Sequence, residues 1–273
     1  MPCTADADPL ADWRLREAPF YRPVAGEVRA FEAAASARLP VLLTGPTGCG
    51  KTRFVEHMAW RLGLPLVTLA CHEDLTAGDL AGRWLLDADG TQWQDGPLAL
   101  AARHGGICYL DELVEARSDA LVVIHPLADS RRVLPLERRG ELLHAHPDFL
   151  LVASYNPGYR GLHKALKPST RQRFTALAFT YPDAETEAAI VASEGGISPA
   201  LATRMVALAT RTRRLQSDGL DEGASTRLLV HAAQLVRAGL PLRAACVQAI
   251  AAPLTDDPDL AAVLVDLVHA AFE

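Results

Sequence analysis

A chain of 273 residues that is 49% hydrophobic, 22% charged and 6% aromatic has the make-up of a folded globular protein, and at about 150 residues per domain it holds roughly two domains. Its net charge of −6 removes any bulk attraction to nucleic acid or anionic lipid, and its apolar runs, such as Leu39 to Leu43 and Phe149 to Ala153, fall far short of the roughly 18 residues that cross a bilayer. The acidic start MPCTADADPLADW has neither the basic nor the apolar region of a secretory signal, and five cysteines without a CxxC favour reduced thiols, so the expected setting is cytoplasmic, without membrane insertion.

In chain order, residues 24–38 place Val24, Val28, Phe31 and Ala35 at helical spacing, and Leu39 to Thr44 then forms a β-type apolar run ending at Gly45. GPTGCGKT follows at 45–52. This is the GxxxxGK[ST] pattern, whose glycines let backbone N–H groups turn inward around phosphate oxygens while the next helix adds its N-terminal partial charge. Gly45, Pro46, Thr47, Gly48, Cys49 and Gly50 would form the cradle, Lys51 would reach the β and γ phosphates of ATP, and Thr52 would ligate Mg²⁺. Lysine is scarce here, three of 27 basic residues, which makes Lys51 stand out. Cys49, beside a helix start and Lys51, is either tolerated or a thiol of lowered pKa open to oxidation. Phe54, Val55, Met58, Ala59 and Leu62 then share one helical stripe.

Pro65 to Ala70, Ile107 to Leu110 and Phe149 to Ser154 read as further strands, giving the βαβ rhythm of a mostly parallel sheet covered by helices. Trp84 and Trp93 bracket a polar turn, either an exposed contact loop or ordinary packing. ICYLDE at 107–112 ends a strand in two acids. Asp111 is placed to hold the Mg²⁺ shell and Glu112 to orient and deprotonate the attacking water, because phosphoryl transfer needs positioning and charge neutralisation. Arg131–Arg132 and Arg138–Arg139 flank a short apolar run as a basic hairpin, facing solvent, a partner or nucleic acid. Cys71 to Asp74 and His144 to His146 hold metal-ligand residue types without a second cluster at zinc spacing. Asn156 follows a strand, either holding the water beside the γ phosphate or capping an Asn-Pro turn. Arg171 and Arg173 read either as surface cations or as an arginine finger for a neighbour's nucleotide. Beyond residue 182 alanine- and leucine-rich helical segments take over, and Arg227 opens one of them. The expected division is an α/β nucleotide-binding domain at 1–182 and an all-helical domain at 183–273.

The ordered set GPTGCGKT, ICYLDE, SYNPGY, KPSTRQRF and GASTRLLV, with ACHEDLTAGDLAGR (70–83), WQDGPL (93–98), LDELVEARSD (110–119), VVIHPLAD (122–129) and PLTDDPDL (253–260), resembles the MoxR branch of the AAA+ ATPases and, within it, the CbbQ/NirQ/NorQ subgroup. The match runs from Ala18 to the C-terminus. It implies a P-loop αβα core with a small helical lid, Asp111 and Glu112 as the Walker B pair, Asn156 as sensor 1, Arg173 or else Arg171 as arginine finger and Arg227 as sensor 2. It further implies a homo-hexameric ring in which inserts at 72–96 and 131–149 face the pore or a partner. The implied partner is a separately encoded von Willebrand factor A protein, CbbO- or NorD-like. The implied client is Rubisco for CbbQ-like members or nitric oxide reductase for NorQ/NirQ-like ones. LALAARHGGICYLDE (98–112) and AHPDFLLVASYNPGY (145–159) lean toward CbbQ. Thr44 stands where these proteins commonly carry lysine, and Ser118 to Leu121 replaces a threonine-rich stretch. The expected activity is ATP-driven remodelling, with a nucleotide-gated scaffold as the alternative and a DNA-dependent ATPase disfavoured by the charge.

Overall fold

The computed structural model describes residues 8–87, 90–157, 166–215 and 219–273. The first seven residues, with Cys3 and most of the acidic start, the tip of the Trp84–Trp93 turn, Gly158 and Lys164 lie outside the described residues. Five parallel strands form the central sheet in the order β2-β5-β8-β1-β9: β1 (Val41–Thr44), β2 (Leu66–Ala70), β5 (Gly106–Asp111), β8 (Phe149–Tyr155) and β9 (Thr175–Ala178). Strand alternation splits the core between two faces. Leu42, Cys108, Leu110, Leu151 and Ala153 point to one face, packing with α4 (Pro97–His104) and α5 (Ser118–Ile124). Val41, Leu43, Ile107, Tyr109, Leu150 and Val152 point to the other, under α1 (Glu27–Ser36) and α2 (Lys51–Leu62). Every residue of β8 is buried, as expected for an inner strand covered on both sides.

The apolar stripe expected after the glycine-rich loop is α2, which buries Phe54, Val55, Met58 and Ala59. The first helix is shorter than the spacing over 24–38 suggests: it starts at Glu27, and Val24 and Ala25 donate their N–H groups to the Glu27 carboxylate instead. Two antiparallel hairpins leave the sheet. A short α3 (Ala77–Ala81) leads into β3 (Gly82–Asp87) and β4 (Gly90–Asp95), and β6 (Val133–Leu136) pairs with β7 (Glu141–His144). Trp84 and Trp93 face each other across the first hairpin, edge to face at 5.4 Å, so the turn is braced by its own tryptophans although Trp84 stays exposed. The hairpins are tied together. The Trp84 indole donates to the Arg138 carbonyl at 3.0 Å, and Arg103 of α4 pairs with Asp95 at 2.7 Å and Glu141 at 2.6 Å.

After β9 and the short α6 (Pro168–Arg171) that precedes it, the chain becomes helical: α7 (Ala184–Gly195), α8 (Pro199–Arg214), α9 (Thr226–Arg237), α10 (Leu242–Cys246) and α11 (Pro258–Ala271). Asp183, Ser198, Ser225 and Asp257 cap α7, α8, α9 and α11 through their side chains, supplying acceptors for orphan N–H groups. These helices share a core of their own, including Val191, Met205, Leu229, Ile250 and Leu264. The segment Leu242 to Ala251 is not one helix: α10 widens into a π turn over Val247–Ala251 and tightens again at Ala252–Leu254.

Candidate nucleotide site

The glycine-rich loop lies between β1 and α2, where Gly48 and Gly50 take left-handed φ values of 64° and 101° that side chains resist. At Gly48 a Cβ would also come within 2.7 Å of Ser225, so the start of α9 presses directly on the loop. The Lys51 ammonium donates to the carbonyls of Gly45 and Pro46 at 2.8 and 2.9 Å. Cys49 is buried, and burial pushes its thiol pKa up despite the neighbouring Lys51; of the two readings open from sequence, this favours the tolerated residue over the activated thiol.

At the end of β5 the Asp111 carboxylate is held by three hydroxyls: Tyr109 donates at 2.7 Å, Ser154 at 2.5 Å and Thr52 at 3.5 Å. Burial, and then the Asp111 charge, raise the Tyr109 phenol pKa, so Tyr109 stays a neutral donor. The next residue, Glu112, has φ 55° and ψ 50°, a left-handed conformation that is uncommon outside glycine and concentrates at functional sites. The Ser154 hydroxyl accepts from the Glu112 N–H at 3.1 Å, pinning that backbone, while the carboxylate is exposed. Asn156, buried just past β8, donates from Nδ2 to the Thr47 hydroxyl at 3.2 Å and to Glu222 at 2.5 Å.

A cavity of about 810 Å³ unites these parts. The loop from Thr47 to Thr52, Asp111, Glu112 and Arg227 all line it, joined by Tyr21, Val24, Phe179, Ile190 and Val230. Asn156 lines an adjoining hollow with Gly45, Pro46 and Glu222. Arg171 and Arg173 line neither. Arg171 is exposed, whereas the Arg173 guanidinium donates to the Ser169 carbonyl and its buried Nε has no acceptor among the described residues. The short α6, which ends at Arg171, is anchored by buried Thr170, whose hydroxyl meets His125 Nε2 at 3.1 Å.

Several contributors have no signal in the sequence. Tyr109 and Ser154 hold Asp111 only because strand parity aims them at it, and Tyr181 reaches the Thr47 carbonyl at 3.1 Å across 134 positions. Glu222, beside Asn156, sits in an undistinguished loop. The apolar wall at Tyr21 and Val24 precedes the first helix: Tyr21 carries no periodic mark, and the helical spacing of Val24 points to a helix that starts only at Glu27.

Residues 40–174 match the AAA domain of the dynein-related subfamily, and residues 187–271 match the CbbQ/NirQ/NorQ C-terminal domain. The chain is 58% identical to protein CbbQ of Hydrogenophilus thermoluteolus, over 90% of this chain and 92% of that one. It is 59% identical to the denitrification regulatory protein NirQ of Pseudomonas aeruginosa, over 93% and 98%, and 56% identical to protein NorQ of Paracoccus denitrificans, over 94% and 95%. Among solved structures, a mutant of Thermotoga maritima RuvB aligns with a TM-score of 0.55 and 16% identity, covering 90% of this chain and 73% of that one. That likeness is one of fold alone.

Proposed function

The chain belongs to the CbbQ/NirQ/NorQ family of MoxR-type AAA+ ATPases and hydrolyses ATP, and from that membership we propose that it uses hydrolysis to remodel a protein client, Rubisco, together with a partner carrying a von Willebrand factor A domain. The observation that carries the motor reading is the shared cavity: its wall is built jointly by the sheet-bearing part and by Arg227 and Val230 of α9, so a change at the phosphates is felt by both. The division at residue 182 into a nucleotide-binding domain and a lid belongs to the same reading.

Lys51 and the N–H groups of the loop bind and orient the triphosphate. The hydroxyl of Thr52 and the carboxylate of Asp111, 3.5 Å apart, are hard oxygen donors that fit Mg²⁺. When bound, Mg²⁺ neutralises phosphate charge. Glu112 accepts the proton of the attacking water, its carboxylate presented by the strained backbone. Asn156 orients that water through its amide, and Arg227 answers the charge of the γ phosphate from the lid. Arg173 serves a neighbouring subunit's nucleotide in a homo-hexamer, a role supported by its absence from the lining of its own chain's cavity; Arg171 is the alternative.

Two stretches, 98–112 and 145–159, lean toward Rubisco, while identities of 59% to NirQ and 56% to NorQ, against 58% to CbbQ, support nitric oxide reductase maturation as the second reading. The test is reactivation of inhibited Rubisco by the chain with its partner, against maturation of nitric oxide reductase in the same preparation. Glu112→Gln should keep nucleotide binding while turnover falls about 10²- to 10⁴-fold and client activation stops. Full client activation by that variant would favour a scaffold over a motor.

A further inference from the structure

Tyr181 stands in the short segment between β9 and α7, where the chain leaves the sheet for the helical part. Its hydroxyl donates to the Thr47 carbonyl, the middle of the phosphate loop, at 3.1 Å. Its ring lies under the Arg213 guanidinium, 3.8 Å from the ring centroid. Arg213 forks onto Glu187, only 1% exposed, at 2.6 and 2.8 Å, and donates to the Ala224 carbonyl at 2.8 Å. Glu187 also accepts from the Thr226 hydroxyl at 2.6 Å. Thr226 is the first residue of α9, next to Arg227, and Ser225 before it touches Gly48. One continuous set of polar contacts therefore runs from the backbone of the loop to the helix end that lines the nucleotide cavity.

The links differ in strength. A phenol-to-carbonyl bond is neutral and modest, whereas Arg213 cannot leave Glu187 without stranding a buried charge. The pair, the ring stacked on it and the start of α9 consequently move together. Thr47 is also gripped from the sheet side, where its hydroxyl accepts from Asn156. A shift of the Thr47 peptide as phosphates enter is thus passed through the Tyr181 hydroxyl to a rigid block of the helical part.

From this connectivity we infer that Tyr181 is a positioning residue that ties the orientation of the helical part to the conformation of the phosphate loop. The inference rests on reading the chain as a motor whose two parts change angle. Tyr181→Phe tests it, because it keeps the ring under Arg213 and deletes only the hydroxyl. Labels carried by unnatural amino acids at exposed Arg29 and Asp266 report the distance between the two parts, with and without a magnesium complex of a non-hydrolysable ATP analogue. The parent should change distance on binding. In Tyr181→Phe that change should fall by at least half, with the melting temperature retained and the analogue's affinity altered by no more than about fivefold, the worth of one neutral hydrogen bond. Arg213→Lys, which loses the fork and the stacking surface but keeps the hydroxyl, should reduce the change in the same way. A parent that moves and a Tyr181→Phe variant that moves equally would overturn the inference alone. A parent that binds the analogue without any change of distance would overturn it and the motor reading together.

Discussion

Glu187 offers the sharpest quantitative test of the helical part. Its carboxylate is 1% exposed and accepts three hydrogen bonds, two from the Arg213 fork and one from Thr226. Glu187→Gln keeps the shape but withdraws the charge, leaving the Arg213 guanidinium, whose side chain is 16% exposed, without its counter-ion. Removing one partner of a buried pair typically costs about 3–5 kcal/mol, a large share of the roughly 5–15 kcal/mol that holds a domain folded. Hydrogen exchange followed peptide by peptide over α7, α8 and α9 reads the loss directly, as protection falling by roughly 10²- to 10³·⁵-fold at 1.4 kcal/mol per decade. Sheet peptides should change little. Replacing both partners, Glu187→Leu with Arg213→Met, should recover part of the loss because no charge is then stranded, although Ala224 still loses its donor. Protection in α7–α9 within a factor of 5 of the parent in Glu187→Gln would refute this account of the pair.

Two further outcomes follow from the geometry. Gly48→Ala should lose nucleotide binding in an equilibrium titration, since the left-handed backbone costs a side chain roughly 1–2 kcal/mol and the added carbon meets Ser225 at 2.7 Å; binding at parental affinity would refute the close contact of α9 with the loop. His125 is held below its ordinary pKa by burial first and then by Arg173 and Lys167, opposed by Asp129. The unfolded chain therefore binds this proton more readily, so the contribution is complete above about pH 6.5 and is lost as pH falls through the lower folded pKa. Urea midpoints from pH 7.5 to 5 should decline with a slope that His125→Asn reduces, and an unchanged slope would discount the burial.

Much of this architecture is legible without coordinates, for identifiable reasons. The loop GPTGCGKT and the stripe on α2 obey local rules, spacing and period, and β8 announces itself as an unbroken apolar run. β9 is different. Its four residues Thr175–Ala178 form an edge strand of modest hydrophobicity, recognisable only by pairing with β1. The break of Leu242 to Ala251 into a π turn leaves no mark in the pattern either, since alanine suits every helical geometry. At the site, Lys51, Asp111 and Glu112 belong to recognisable strings, whereas Ser154 and Tyr181 act through partners distant in the chain and Tyr109 meets Asp111 two residues on only through strand parity. Cys49 shows where sequence leaves a choice: Lys51 beside it keeps an activated thiol open next to a merely tolerated one, and packing decides for the second.

The bracing of the two hairpins bears on how this chain can be recombined with its relatives. Arg103 of α4 holds a carboxylate of each, the Trp84 indole takes its acceptor from the backbone of the β6–β7 hairpin, and Arg139 of that hairpin faces Asp95 of the first at 3.7 Å, so each hairpin supplies acceptors to the other. A chimera that transplants residues 82–95 alone would arrive with mismatched footings, while one that carries 131–149 alongside, with position 103 matched, transfers an intact two-pronged fitting. Exchanging this face between family members is therefore a problem of moving a discontinuous cassette.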